Sequence, residues 1–300
     1  MDIRKKSRYI DISYDIGFKL IFEDPDHPEL LIGLLNALIP GARIHRIEFL
    51  PNEVNPESIE GKRVRMDLRC YEPDGGQFVV EMQKDPYDYF PDRVMAYSGD
   101  PLKRSLKAGE NYSDIRPVYM VCILNYILNT KGDTDSDRGS LLRSAHMRMD
   151  DSKEILSDSL NLLFLQLPVA KELSHDQDFL AKFAWSVKNI ATQDSMPEAL
   201  RGNEYFEKMY ALADREYISE EKLNTYDYMV RDEIQIKAER DYAVREGRAE
   251  GRAEGLQEGM MKEKTANAVN LLALGVPVST VAKALGMTEE QVKDILHSRS

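Results

Sequence analysis

The chain has 300 residues, 42% of them hydrophobic, enough for one large domain or two modest ones and too many for a globally disordered chain. Its formal net charge of −12 argues against a protein that coats nucleic acid by bulk charge, while leaving room for a local basic patch. The opening "MDIRKKSRYIDIS" lacks the pattern of a signal peptide, and no apolar run reaches the length of a membrane span. The two cysteines, Cys70 and Cys122, fall in strand-like apolar runs, as buried thiols of a reducing compartment would, so the expectation is a cytoplasmic protein without a membrane partner.

Residues 9 to 39 read as two helices. Ile12, Ile16 and Leu20 recur at helical intervals, and Pro25 interrupts. Asp26 is placed to cap the second helix, with Pro28 in its first turn and Leu30, Leu31, Leu34, Leu35 and Leu38 on one stripe, before Pro40-Gly41 ends it. "RIHRIEFL" (43 to 50) is strand-like, 52 to 62 form a polar loop, and strands follow at 63 to 72 and 77 to 84. A helix over 92 to 108 should kink or split at "SGDP" (98 to 101). The apolar run at 117 to 128 reads as a strand buried on both faces, 129 to 140 as a flexible loop, and 160 to 167 as a further strand. From 169 to 240 the pattern is mostly helical and amphipathic. The order of elements implies an α/β or α+β domain around a mixed sheet.

The segment "REGRAEGRAEGLQEG" (245 to 259) repeats glycine and glutamate every fourth residue. In a helix this stacks like charges, and each glycine costs about 1 kcal/mol relative to alanine. A helical linker is expected. Residues 265 to 298 read as three short helices, the last opened by a capping box of Thr288 and Gln291, in an arrangement like a helix-turn-helix. Lys283, Lys293, His297 and Arg299 are few basic groups for a DNA-reading surface, so a structural or dimerising tail is the alternative expectation. The divisions implied are a core over 1–172, a helical extension over 173–240 packed on or following it, a linker over 241–264 and a tail over 265–300.

The chemistry concentrates in "MDLRCYEPDGGQFVVEMQK" (66 to 84). Alternation puts Val64, Met66, Leu68 and Cys70 on one face of the first strand, and Arg63, Arg65, Asp67, Arg69 and Tyr71 on the other. In the second strand Phe78, Val80 and Met82 oppose Gln77, Val79, Glu81 and Gln83. A two-residue turn at Asp74-Gly75 would mix the faces. A three-residue loop, Pro73-Asp74-Gly75, pairs Leu68 with Val80 and Met66 with Met82, and sets Asp67 opposite Glu81 with Gln83 one step along. Like charges directly opposite destabilise a strand pair, so something compensates. Either Arg65 or Arg69 forms a solvated salt-bridge network, or a divalent cation sits between the carboxylates, which are hard oxygen ligands suited to Mg²⁺.

Asp67, a short hairpin and Glu81-Met82-Gln83 resemble the PD-(D/E)XK nuclease core. More narrowly, the stretch resembles the recombination-promoting nuclease (Rpn) and transposase family, in which Gln replaces the usual Lys. "DIGFKLIF" with "LLIGLLNALI", "GENYSDIRPVYMVCIL" and the "EGRAEG" tail agree in the same order. The resemblance is clear over 11 to 125 and loose in the helical middle. It implies a restriction-endonuclease-like fold, with a mixed sheet flanked by helices and a helical C-terminal extension. The implied activity is Mg²⁺-dependent hydrolysis of DNA phosphodiester bonds, tied to recombination or transposition. Asp67 and Glu81 would hold the metal, and Gln83, which cannot take a proton, would position water or phosphate. Asp15 matches the family's first-helix acid, against the plainer reading of an ion pair with Lys19. Arg93 and Tyr97 match the Arg and Tyr of the following helix and would touch phosphate or brace the site, against a purely structural pair. Lys84 is expected on the opposite face.

The competing reading is a nuclease-fold scaffold without activity, whose tail mediates homo-oligomer formation or partner binding. Net acidity and the missing lysine favour it; Asp67, Glu81 and Gln83 favour the nuclease. No glycine-rich loop follows a strand and opens a helix, which leaves no case for nucleotide binding, and the distant cysteines make no zinc site.

Overall fold

The computed structural model describes residues 7–50, 68–73, 75–86, 89–106 and 109–297, with the backbone alone at 296 and 297. Two compact units are formed, Met1–Val230 and Arg231–Ser300. The helices α1 (Asp15–Phe22) and α2 (Pro28–Leu38) precede β1 (Glu48–Leu50), β2 (Leu68–Tyr71) and β3 (Gln77–Gln83). Then come α3 (Phe90–Arg104), β4 (Val118–Leu124), a one-turn α4 (Asp135–Arg138), β5 (Leu142–Arg148) and β6 (Ile155–Gln166). The helices α5 (Phe179–Asn189), α6 (Glu204–Ala213), α7 (Glu220–Ala273), α8 (Val278–Leu285) and α9 (Glu289–His297) complete the chain.

Among the described residues six strands form one mixed sheet in the order β1-β2-β3-β4-β6-β5. β3 runs antiparallel to β2 and parallel to β4, which is itself parallel to β6. Strand alternation divides the core. Val121 and Ile123 of β4 point with Val80 and Met82 towards Phe18, Phe22, Leu31 and Phe183 of the helices α1, α2 and α5. Met120, Cys122 and Leu124 point with Val79 to the other face, where Phe90 and Val94 of α3 cover them. β4 is thus buried on both sides, which is why its sequence is continuously apolar rather than alternating. Both cysteines are buried as thiols, and burial pushes Cys70 well above its ordinary range. The helices α5 and α6 add Phe183, Val187, Phe206 and Met209 to the same core as α1 and α2. The first unit takes α7 as far as Val230.

The hairpin register is the one that keeps apolar faces together: Leu68 pairs with Val80, Cys70 with Phe78, and Tyr71 with Gln77. Glu72 N–H donates to Gly76 C=O and Gly75 N–H to Glu72 C=O, both at 3.0 Å, closing the turn. A Cβ on Gly75 would collide with the Glu72 carboxylate. Asp67, with Arg63, Val64, Arg65 and Met66, lies outside the described residues.

Several local expectations are corrected. His27, not Asp26, stands at the N-cap of α2; Asp26 instead donates its N–H to Asp24 Oδ1 at 3.0 Å in the preceding turn. Only Glu48–Leu50 of the 43–50 stretch pairs in the sheet. The amide of Asn36 takes both backbone groups of Ile44, at 2.9 and 2.8 Å, and so removes them from any ladder. "SGDP" does not split α3, which runs through Pro101. The ring costs the bond that residue 101 would donate to the Tyr97 carbonyl, but the break falls near the helix end. Burial of Ser98 and Pro101 and an ion pair from Asp100 to Arg69 offset it. The strand expected at 160–167 begins at Ile155, because β5, which the sequence does not announce, pairs along it from Leu165 back to Ile155. β5 is a polar, largely exposed edge strand, so it lacks the apolar alternation by which strands are read.

In the second unit, Ala268 of α7, Val281 and Ala282 of α8 and Val292 of α9 make a small core. Gly286 ends α8 in the left-handed conformation, at φ 59°. Thr288 and Gln291 form the expected capping box at 2.9 and 3.1 Å. The glycine-glutamate repeat is helical throughout, and a Cβ at Gly247, Gly251, Gly255 or Gly259 would meet open space. No helix among the described residues is long and apolar enough to cross a membrane.

Candidate functional site

Glu81 lies near the C-terminal end of β3, a strand bonded on one side to β2 and on the other to β4. Alternation with Val79 turns its side chain to the α3 face. The residue is 1% exposed, and neither carboxylate oxygen accepts a hydrogen bond among the described residues. Its nearest opposite charge among them is Arg93 on the first turns of α3, whose Nη2 stands 3.7 Å from Oε2, beyond hydrogen-bond reach. Burial raises the Glu81 carboxyl above its ordinary range; Arg93 offsets part of this, Asp15 adds to it and Lys19 offsets it slightly.

Asp15 opens α1, at the positive end of the helix dipole. It can sit there because Gly17 lets the first turn close on the preceding loop. A Cβ at Gly17 would collide with the Asp11 carbonyl oxygen and come within 3.1 Å of Ile12 Cα. One Asp15 oxygen, Oδ2, accepts from Lys19 at 3.0 Å, as the i,i+4 spacing predicts. The other, Oδ1, is buried with no partner among the described residues. The plain ion pair and an open carboxylate oxygen are therefore both present on one side chain.

Arg93 stacks its guanidinium over the Tyr97 ring, 4.9 Å from the centroid, one helical turn along α3. These two residues brace each other, and Arg93 also faces Glu81. Gln83 follows Glu81 on the same face; its Nε2 donates to the Asp85 carbonyl at 2.9 Å, which leaves Oε1 to accept. Lys84 turns elsewhere, its ammonium over the ring of Tyr14 before α1. Arg69, a candidate to neutralise Glu81, is 4% exposed and pairs instead with Asp100 of α3 at 3.4 Å. Burial lowers the affinity of that guanidinium for its proton, and Asp100 opposes this. Arg65, the other candidate, lies outside the described residues, as does Asp67.

The structure thus brings together Glu81, Arg93 and Tyr97, with the charge of Asp15 felt at Glu81 and Gln83 beside it. Among the described residues no three His, Cys, Asp or Glu side chains gather closely enough to hold a metal by themselves. Tyr126 is a residue on the Glu81 face of the sheet that sequence reasoning missed. Its hydroxyl is buried without a hydrogen bond among the described residues, and burial raises it far above the phenol range, with Cys122 adding, Arg93 offsetting and Glu81 adding a little. Only the packing of the segment after β4 against α3 brings it here, so periodicity carries no signal for it.

A model of the family described as PD-(D/E)XK nuclease family transposase matches residues 12–245, more than three quarters of the chain. Comparison with curated proteins and with solved structures found no match.

Proposed function

Since the chain belongs to the PD-(D/E)XK nuclease family transposases, we propose that it is a Mg²⁺-dependent DNA endonuclease, hydrolysing phosphodiester bonds in recombination or transposition in the cytoplasm. The family itself carries a nuclease or transposase-related role, and the mixed sheet with helices on both faces is consistent with its fold. The observation that carries the finer reading is Glu81: a carboxylate 1% exposed, in the middle of a sheet, with both oxygens unbonded among the described residues. Buried carboxylates are normally paired or coordinate a metal. Hard oxygen donors with unmet demand fit Mg²⁺, which binds through one or two carboxylates and keeps its waters.

In this reading Glu81 and Asp67 hold the ion, Asp67 standing one residue before the Leu68–Val80 pair of the hairpin. A divalent cation bound there supplies a Lewis acid that lowers the pKa of water and neutralises charge on the cleaved phosphate. Gln83 offers Oε1 to orient the attacking water but takes no proton from it. Arg93, held over Tyr97, balances the charge of Glu81 and presents a guanidinium to the substrate phosphate. Asp15 is assigned a secondary role, its open Oδ1 adding to the negative field that favours a cation.

The test is supercoiled plasmid incubated with Mg²⁺ or with chelator, beside Asp67→Ala and Glu81→Gln variants whose fold is checked by circular dichroism. Nicking that needs the metal and both carboxylates is the expected result. Equal traces in every lane would refute the reading. They would favour a nuclease-fold scaffold that self-associates through its tail, for which the glutamine at position 83, already engaged by Asp85, is the supporting observation.

A further inference from the structure

Tyr126 lies on the same face of the sheet as Glu81, and reading Glu81 as a metal ligand gives it no role. The segment after β4 is pinned to the end of β3: Leu124 pairs with Gln83, and Asn125 N–H donates to the Gln83 carbonyl at 2.9 Å. From there the Tyr126 ring turns to the α3 face, edge-on to Phe90 at 6.3 Å. This is the face that Glu81 and Arg93 occupy. The ring packs as a core side chain would, yet its hydroxyl is buried and makes no hydrogen bond among the described residues. Buried phenol hydroxyls almost always find a partner. Glu81 presents the complementary deficit, two buried oxygens that accept nothing. A donor without an acceptor and an acceptor without a donor thus share the α3 face, within reach of each other's electrostatic influence, and they do not bond to each other. A single buried water would satisfy both, accepting from the phenol and donating to the carboxylate.

We propose that Tyr126 is a positioning residue of the Glu81 site: its hydroxyl, through one water, anchors one Glu81 oxygen and leaves the other aimed at the cation. Carboxylates that ligate metals are commonly held by such outer hydrogen bonds, and removing one typically weakens metal affinity about 10–100-fold. The inference rests on the reading of Glu81 as a metal ligand. It does not depend on Tyr126 losing its proton, only on its being a donor.

The experiment uses the full chain and Mn²⁺ as the probe, with free Mn²⁺ followed by its paramagnetic resonance signal. Wild type, Glu81→Gln and Tyr126→Phe are compared, and each is melted in chelator. Phe keeps the ring and its contact with Phe90 and deletes only the donor. The expected pattern is binding by wild type, loss of it in Glu81→Gln, and a roughly 10-fold weaker affinity in Tyr126→Phe, whose melting temperature stays at or above wild type. Wild-type affinity in Tyr126→Phe overturns the proposal. So does weaker binding accompanied by a lower melting temperature, since the hydroxyl would then serve the fold. Absence of Mn²⁺ binding in wild type, or equal binding in Glu81→Gln, defeats the metal reading of Glu81 itself and the role of Tyr126 with it.

Discussion

Replacing Glu81 with glutamine should make the protein more stable while abolishing its activity. The side chain is 1% exposed and neither oxygen is hydrogen-bonded among the described residues. Moving a carboxylate into such a place costs several kcal/mol, and a guanidinium at about 4 Å returns no more than about 4 kcal/mol at an effective dielectric near 20. Arg93 stands at 3.7 Å but is 34% exposed, so water weakens its attraction. The raised carboxyl shows that burial outweighs it. Glutamine keeps the shape and removes the charge, though its own buried amide has bonds unmet. The net gain should be about 1–2 kcal/mol at neutral pH, or about 2–8 °C in melting temperature for a unit of this size.

The pH dependence carries the sign. A carboxyl raised in the folded state binds its proton more tightly there than in the unfolded chain. Its contribution to stability is then fully present below the ordinary glutamate range and is lost as pH rises through the raised value. Urea melts in chelator across a pH series should therefore show wild type and Glu81→Gln converging in acid and separating towards neutrality. A variant less stable than wild type at neutral pH, or a gap that ignores pH, would refute the reasoning and mean that the Glu81 charge is fully compensated in the folded protein.

Arg93→Gln should act in the opposite direction, lowering stability by about 1–3 kcal/mol at neutral pH because it takes the nearest described cation from Glu81. In a double-mutant cycle most of that loss should disappear when Glu81 is also glutamine, and additive effects would show that the two side chains do not interact. Asn36→Ala should cost about 2–4 kcal/mol by urea melting, since it strands the N–H and C=O of Ile44, which is itself 4% exposed. A loss below about 1 kcal/mol would mean the 43–47 segment finds other partners. Gly251→Ala and Gly255→Ala should each favour α7 by about 0.5–1 kcal/mol, read as a higher far-ultraviolet melting transition, because a Cβ at either site meets open space. Unchanged nicking in those variants would separate the repeat from the catalytic face, whereas a loss would show that a partner packs closely on the glycines.

Much of the fold is legible in the amino-acid sequence. The leucines 30, 31, 34, 35 and 38 repeat at helical intervals and are all buried. The hairpin register follows from alternation alone, because a slip of one residue would turn every apolar side chain to the wrong face, and Leu68 does pair with Val80. The capping box of Thr288 and Gln291 is a signal of four residues and needs nothing distant. These features share a cause: each is decided by neighbours within a few residues, or by which face of an element must be dry.

What faces Glu81 is decided only by the tertiary structure. Alternation sets its face, but Arg93 meets it because α3 crosses back over the sheet, Arg69 is drawn off by Asp100, and Tyr126 arrives from the segment after β4. Asn36 captures Ile44 across eight residues and so shortens a strand that local propensity favours. β5 exists because β6 offers it a ladder, although its own sequence is polar. In each case a side chain's partner lies on another element. The packing of helices on the sheet sets that distance, and it leaves no period in the chain to read.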